Sequence, residues 1–179
     1  MVALAGLSGA GKTTAISLLE ARGCGIRFYV GGIVTGEVRR RGLTGTPTDE
    51  RLVREELRRD GGMDALARLA LPTIEGFDGV GAVLLDAIYN DEERKLYADH
   101  FGADFRMIGV DAPFTVRAQR LAVRVNRPIN EENLARRDAY EIGSLGIQGV
   151  LAAADARVPN KGTLDELEGT LQVVFDRLA

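Results

Sequence analysis

Four apolar residues, Val2-Ala3-Leu4-Ala5, stop at Gly6 and lead into Leu7-Ser8-Gly9-Ala10-Gly11-Lys12-Thr13. A short unbroken apolar run reads as a strand buried on both faces. The segment behind it, Lys12 to Arg22, sets Ala15, Ile16, Leu18 and Leu19 on one side of a helical period and stops before Gly23. Between this strand and this helix, Gly6 to Thr13 satisfies G-x-x-x-x-G-K-[ST] at every fixed position, and Thr14 follows. Glycines let the main chain curl until successive N–H groups converge on one anion, a path on which side chains would collide. Lys12 adds a point charge suited to β- and γ-phosphates, the Thr13 hydroxyl is placed to ligate magnesium, and the helix aims its positive end the same way. Gly6, Ser8, Gly9, Ala10, Gly11, Lys12, Thr13 and Thr14 are the expected polyphosphate-binding residues.

The rest of the chain alternates apolar strands with helical periods. Strands are expected at Ile26 to Val30, at Gly81 to Asp86, at Phe105 to Val110 and, shortest, at Ala156 to Pro159. Helices are expected from Ile33 to Arg41 after a break at Gly31-Gly32, and from Thr48, read as an N-cap, to Gly61-Gly62. Further helices are expected at Met63 to Ile74, Asp91 to Phe101 and Pro113 to Val125. Asn126 to Tyr140 is dense in charge and carries Pro128. Thr163-x-x-Glu166 is a capping box opening a last helix whose Leu164, Leu167, Leu171, Val174, Phe175 and Leu178 share a face. This pattern predicts a three-layer α/β/α domain around a five-stranded parallel sheet. At 179 residues, one domain over 1–179 is expected, with neither an internal repeat nor a low-complexity tract.

Composition closes off other chemistries. One cysteine (Cys24) and one histidine (His100) cannot build a disulfide framework or a Cys/His zinc site, and Ser-His-Asp catalysis would have a single candidate. A net charge of −3 gives no strong global pull toward nucleic acid or an acidic membrane. The longest uncharged stretch, Ile142 to Ala154, is well short of the roughly 20 residues that span a bilayer. No basic residue precedes Lys12, so the start lacks the charged region of a signal peptide, and a cytoplasmic protein is expected.

Two further features point at the polyphosphate. Asp86 closes an apolar strand, where a carboxylate could hold magnesium through a water; capping the next turn is its plain alternative. Asp111, before Ala112-Pro113, is read as a cap for the helix that follows. Arginine supplies 20 of the 23 positive charges. Arg117, Arg120, Arg124 and Arg127 are spaced three, four and three, which on one helix would put their guanidinium groups on one face. Such a group suits a closing lid that neutralises a departing triphosphate, or else a solvated face paired with Glu131 and Glu132.

With these residues in view the chain resembles the P-loop nucleotide kinases, and within them dephospho-CoA kinases and an archaeal group of uncharacterised adenylate-kinase-related proteins. The likeness runs through Gly6–Thr14, Arg39-Arg40-Arg41-Gly42-Leu43, Val83-Leu84-Leu85-Asp86, Gly109-Val110-Asp111-Ala112-Pro113, Arg136-Arg137-Asp138 and Asn160-Lys161-Gly162-Thr163-Leu164. It implies a kinase using ATP with magnesium, a lid at about 124–140, acceptor-side helices at about 32–75, and Asn160, Lys161 and Gly162 near the adenine. On that reading Lys12, Asp86, Arg124 and Arg127 carry the transfer, Thr13 and Asp86 hold the metal, and Arg120 and Arg124 also touch the nucleotide. The acceptor falls to Gly32, Thr35, Glu37, Arg39, Tyr89 and Arg136.

Two departures bear on that acceptor. Nucleoside monophosphate kinases carry an arginine in an Asp-Gly-x-x-Arg run after the third strand, where this chain reads Asp86-Ala87-Ile88-Tyr89. A second acceptor arginine follows a Gly-Asp pair where this chain has Gly31-Gly32-Ile33-Val34-Thr35. Neither Tyr nor Thr replaces an arginine fork. The acceptor is therefore expected to offer a hydroxyl or to present its phosphate elsewhere, with Asp86 or Glu37 as orienting base and Tyr89 stacking on a ring. Hydroxymethyluracil in DNA, the acceptor of related phage kinases, is an alternative, and a slowly hydrolysing nucleotide switch is another.

Overall fold

A computed structural model describes residues 1–77, 81–125 and 127–178; Asn126, which opens the charged segment above, lies outside them. Five parallel strands, β1 (Val2–Ala5), β2 (Gly25–Tyr29), β3 (Ala82–Ile88), β4 (Arg106–Asp111) and β5 (Ala156–Pro159), form one sheet in the order β2-β3-β1-β4-β5. The chain is thus an α/β protein of the expected class. Strand β1 is central, Leu4 pairing with Asp86 on one side and Ile108 on the other. That position explains its unbroken apolar sequence, since neither face meets water.

Alternation along the strands sorts the core into two layers. Ala3 and Ala5 of β1, with Val83 and Leu85 of β3, face one cluster; Val2, Leu4 and Leu84 face the other. The second layer is closed by α1 (Lys12–Ala21) and α9 (Leu164–Leu178) through Ile16, Leu19, Leu167, Leu171 and Phe175. Against the first lie α2 (Gly31–Arg40), α3 (Pro47–Gly61), α4 (Ala65–Glu75), α5 (Asp91–Phe101) and α8 (Ile147–Ala152). Helices α6 (Phe114–Ala122) and α7 (Glu131–Gly143) stand apart on a small core of their own, Ala118, Leu121 and Leu134, with Ile129 against it. Among the described residues no helix is long and apolar enough to cross a membrane.

Several sequence expectations need correction. Helix α3 is capped by Thr46, not Thr48: Thr46 Oγ1 accepts from the Asp49 N–H at 3.2 Å, Asp49 closes the box, and Pro47 takes the first helical position. Helix α2 begins at Gly31, so the two glycines start it rather than break the chain before it. Strand β3 runs two residues past Asp86, because Ala5 of the central strand β1 pairs with Ile88 and carries the ladder that far. Helix α6 ends at Ala122, after which the Ile129 N–H returns to the Leu121 carbonyl at 3.1 Å. Arg124 and Arg127 consequently do not share a helix face with Arg117 and Arg120. Asp111 does not cap α6, whose N-cap is Pro113 with no side-chain cap bond; its carboxylate accepts from Arg157 Nε of the neighbouring strand at 2.7 Å. Leu164 is half exposed, unlike Leu167, Leu171 and Phe175 of the same expected face of α9. Helix α8, unforeseen in the uncharged stretch, buries Ile147, Val150 and Leu151.

Candidate functional site

The loop between β1 and α1 is held in its curl by two glycines. Gly9 and Gly11 have φ of 81° and 101°, the left-handed region that side chains avoid. A Cβ on Gly11 would lie 2.1 Å from Asn160 Nδ2, and one on Gly9 2.8 Å from Leu121 Cδ1. The loop is therefore packed against the end of β5 on one side and against α6 on the other. Asn160 Nδ2 donates to the Ala10 carbonyl at 2.8 Å, and Arg120 donates to Asn160 O and Oδ1 at 3.0 and 3.1 Å. Beside them a cavity of about 250 Å³ is lined by Gly11, Thr14, Arg120, Asn160 and Gly162. Five residues expected to touch the nucleotide thus meet around one space. Lys161 is exposed and does not line it.

Lys12, buried at the head of α1, turns its ammonium back to the Gly6 carbonyl at 2.6 Å and the Leu7 carbonyl at 3.3 Å. It also stands 5.2 Å over the Tyr89 ring, a cation–π distance. The Thr13 hydroxyl donates to Asp86 Oδ2 at 3.3 Å, and that oxygen also accepts from Arg27 Nη2 at 2.6 Å. Thr13 and Asp86 thus present two hard oxygen donors to one point, the donor type that suits a small divalent cation completed by waters and phosphate. Among the described residues no cluster of three or more His, Cys, Asp or Glu could hold a metal alone.

A larger cavity, about 550 Å³, opens where β2, β3, α3 and α7 converge. Asp86, Tyr89 and Arg136 line it, as the acceptor reading requires; Gly32, Thr35, Glu37 and Arg39 do not. Thr35 donates to the Gly32 carbonyl of its own helix. Glu37 is held at about 2 by the guanidinium groups of Arg40 and Arg41, too weakly basic to take a proton. Arg136 pairs with Glu132 on its own helix. Arg127 is tied to Glu50 by two bonds of 2.8 and 2.9 Å, and Arg124 is exposed with no side-chain partner among the described residues.

Sequence reasoning overlooked most of the cavity wall. Tyr29 and Tyr140 join Tyr89, so three of the four tyrosines face this space. Arg51, Arg54 and Arg58 line it from α3, spaced three and four, a signal that was available in the sequence. Arg58 is buried against Glu93 at 3.0 Å, whereas Arg51 and Arg54 have no carboxylate partner among the described residues. From α7 comes Glu141, whose carboxylate accepts from the Ser8 N–H at 3.0 Å and the Ser8 hydroxyl at 2.6 Å. Arg117 donates to the Ser8 carbonyl at 3.0 Å while Asp138 of α7 grips the same guanidinium at 2.8 and 2.6 Å.

Residues 2–139 match the family model described as "AAA domain". A UPF0200 protein of Methanoculleus marisnigri is 35% identical over 181 residues, covering 99% of this chain and 96% of its own. Among solved structures, a gluconokinase from Sinorhizobium meliloti superposes with a TM-score of 0.63 at 16% identity, covering 99% of this chain and 92% of its own. A shikimate kinase from Bacteroides thetaiotaomicron superposes at 0.61 and 13% identity, covering 99% and 97%. At such identities these two likenesses concern the fold.

Proposed function

We propose that this chain, which belongs to the AAA domain family together with the UPF0200 proteins and shares the fold of a solved gluconokinase and shikimate kinase, is an ATP-dependent phosphotransferase acting on a small acceptor. One observation carries this reading: Lys12 stands at the junction of the glycine loop and the 550 Å³ cavity, its ammonium on the loop carbonyls and over the cavity's Tyr89. A donor held in the loop would direct its terminal phosphoryl group toward that cavity. The adenine side is assigned to the smaller cavity around Asn160, Arg120 and Gly162.

Transfer forms a bond from an acceptor oxygen to the γ-phosphorus and breaks the bridging bond to ADP, and the hydroxyl proton departs to solvent or a carboxylate. Catalysis is positioning and charge compensation. Lys12 supplies a positive charge to the moving phosphoryl group. Magnesium, when bound by Thr13 and Asp86, would supply further charge neutralisation. Arg124, with no protein partner among the described residues, is the lid arginine free to join it. On the acceptor side, Arg51 and Arg54 favour a molecule bearing an anionic group, and Tyr29, Tyr89 and Tyr140 favour one with a flat or apolar body. On this reading an anionic group of the acceptor is met from α3 rather than from the positions after β2 and β3.

The test is ADP release with Mg-ATP across nucleosides, nucleoside monophosphates, phosphorylated sugars, sugar acids and hydroxymethylated DNA. Acceptor-dependent release that Lys12→Ala abolishes without unfolding the protein is expected. Undiminished transfer in Lys12→Ala would refute the mechanism, and nucleotide binding with no acceptor-dependent release would favour a switch.

A further inference from the structure

Every polar group of Ser8 is engaged, two of them by α7 itself and the third by an arginine of α6 that α7 holds. Its carbonyl is reached through Arg117, which Asp138 holds, and its N–H and hydroxyl are taken directly by Glu141, three residues on along α7. Glu141 accepts a further bond from Arg137 Nε at 3.0 Å, and its side chain is only 3% exposed. A buried carboxylate so placed occupies an amide of a loop built to receive phosphate.

The peptide linking Leu7 to Ser8 shows which phosphate is at issue. Its carbonyl faces the Lys12 ammonium at 3.3 Å, and its N–H faces Glu141. Lysines at this motif position reach the β- and γ-phosphates, so an amide beside that ammonium is placed to meet the outermost phosphate of a triphosphate. A carboxylate and a terminal phosphoryl group repel one another strongly in a site shielded from water. They cannot share the Ser8 donors.

We infer that Glu141 is a specificity-determining residue of the donor site, a built-in occupant of the Ser8 N–H that a triphosphate displaces and a diphosphate leaves in place. The inference rests on the nucleotide reading above and deepens it. Displacement has a consequence for the acceptor, because Asn133, Arg136, Arg137 and Tyr140 of the same helix line the larger cavity. When the carboxylate leaves Ser8, Arg137 loses the fixed geometry of its partner and α7 loses one of its two ties to the loop. The cavity wall thereby registers whether the donor still carries its γ-phosphoryl group.

Calorimetry with two magnesium complexes, ADP and the β,γ-imido analogue of ATP, tests this on the native protein and on Glu141→Gln, whose amide oxygen can still accept from Ser8 without the charge. The variant should bind the analogue about tenfold more tightly while ADP affinity stays within about twofold, the difference reporting a charge felt only by the outermost phosphate. Hydrogen exchange on the unsubstituted protein gives a second readout that does not depend on how the variant folds. The amides of α7 should exchange faster with the imido analogue than with ADP. A gain shared equally by both nucleotides, no gain at all, or identical α7 exchange in the two complexes would overturn the inference while leaving nucleotide binding intact. Failure of the native protein to bind either nucleotide would overturn the underlying reading and this inference with it.

Discussion

Arg58 of α3 and Glu93 of α5 meet at 3.0 Å with 6% and 3% of their side chains exposed, joining two helices at the wall of the larger cavity. The carboxylate is also bonded by the Tyr89 N–H at 3.0 Å, so the same ion pair steadies the turn that carries the Tyr89 ring. Burial pushes the Glu93 carboxyl above its ordinary range, with the Arg58 charge pulling the other way.

Removing one partner should therefore be worse than removing both. Arg58→Ala leaves a buried carboxylate uncompensated and is expected to cost about 3–5 kcal/mol, while Arg58→Met with Glu93→Leu should cost much less. Glu93 is a group whose folded pKa is raised, so the folded state binds the extra proton. Its unfavourable contribution is absent below the unfolded value and grows as pH rises from there toward the folded value. The Arg58→Ala defect should accordingly shrink at pH 5 relative to pH 8. Denaturant melts of the native protein and the two variants at both pH values check this, and a defect that deepens on acidification would contradict it.

Glu37 behaves in the opposite sense. Hydrogen bonds from Arg40 and Arg41 hold its carboxyl at about 2, so it stays ionised well below the range where free glutamates protonate. Its folded pKa is depressed, and whatever stability the contacts add is present above the unfolded value and lost as pH falls toward 2. A carbon-detected NMR titration should show Glu37 as the late-protonating glutamate on α2, and Arg40→Ala with Arg41→Ala should return it to the ordinary range. Activity, by contrast, should not follow this titration, because Glu37 does not line the cavity.

What could be read from the sequence was what neighbouring residues decide among themselves. Val2–Ala5, the glycine loop and the Thr163–Glu166 box are local patterns, and Thr163 and Glu166 do exchange their bonds, at 2.8 and 3.2 Å. Helix α8 escaped notice because six residues that include Gly149 have little helical tendency of their own; burial of Ile147 and Val150 in the first-layer cluster supplies the rest. The site was legible only in halves. Ser8 and Glu141 are 133 residues apart, and Ala10 and Asn160 are 150 apart. No spacing rule reaches across such intervals. Asp86 was found, but the Arg27 that holds it comes from the adjacent strand and depends on the β2–β3 register.

The capping box of α9 gives a prediction about stability that leaves the acceptor side untouched. Thr163→Ala removes the acceptor for the Glu166 N–H and should destabilise the fold by about 1 kcal/mol. Because α9 covers the sheet face away from the larger cavity, the acceptor KM should be unchanged, as steady-state kinetics at a temperature well below the melt would show.

Arg51 and Arg54 decide what kind of acceptor enters. Both line the larger cavity, neither has a protein carboxylate to satisfy it among the described residues, and their spacing of three along α3 lets both guanidinium groups reach one oxyanion. Replacing either by Gln keeps much of the side chain's bulk and polarity and removes the charge. Each charge-assisted bond lost is worth about 1.5–3 kcal/mol, so the KM for an anionic acceptor should rise roughly ten- to hundredfold. Mg-ATP affinity should stay close to that of the native protein, since the loop and the Asn160 cavity are untouched. An acceptor stripped of its anionic group should lose both factors with the native protein, one with each single variant and almost none with the double variant. If the neutral and anionic forms are discriminated equally well after both substitutions, the anion is held by other groups, and Arg136 and Arg137 of α7 become the residues to replace.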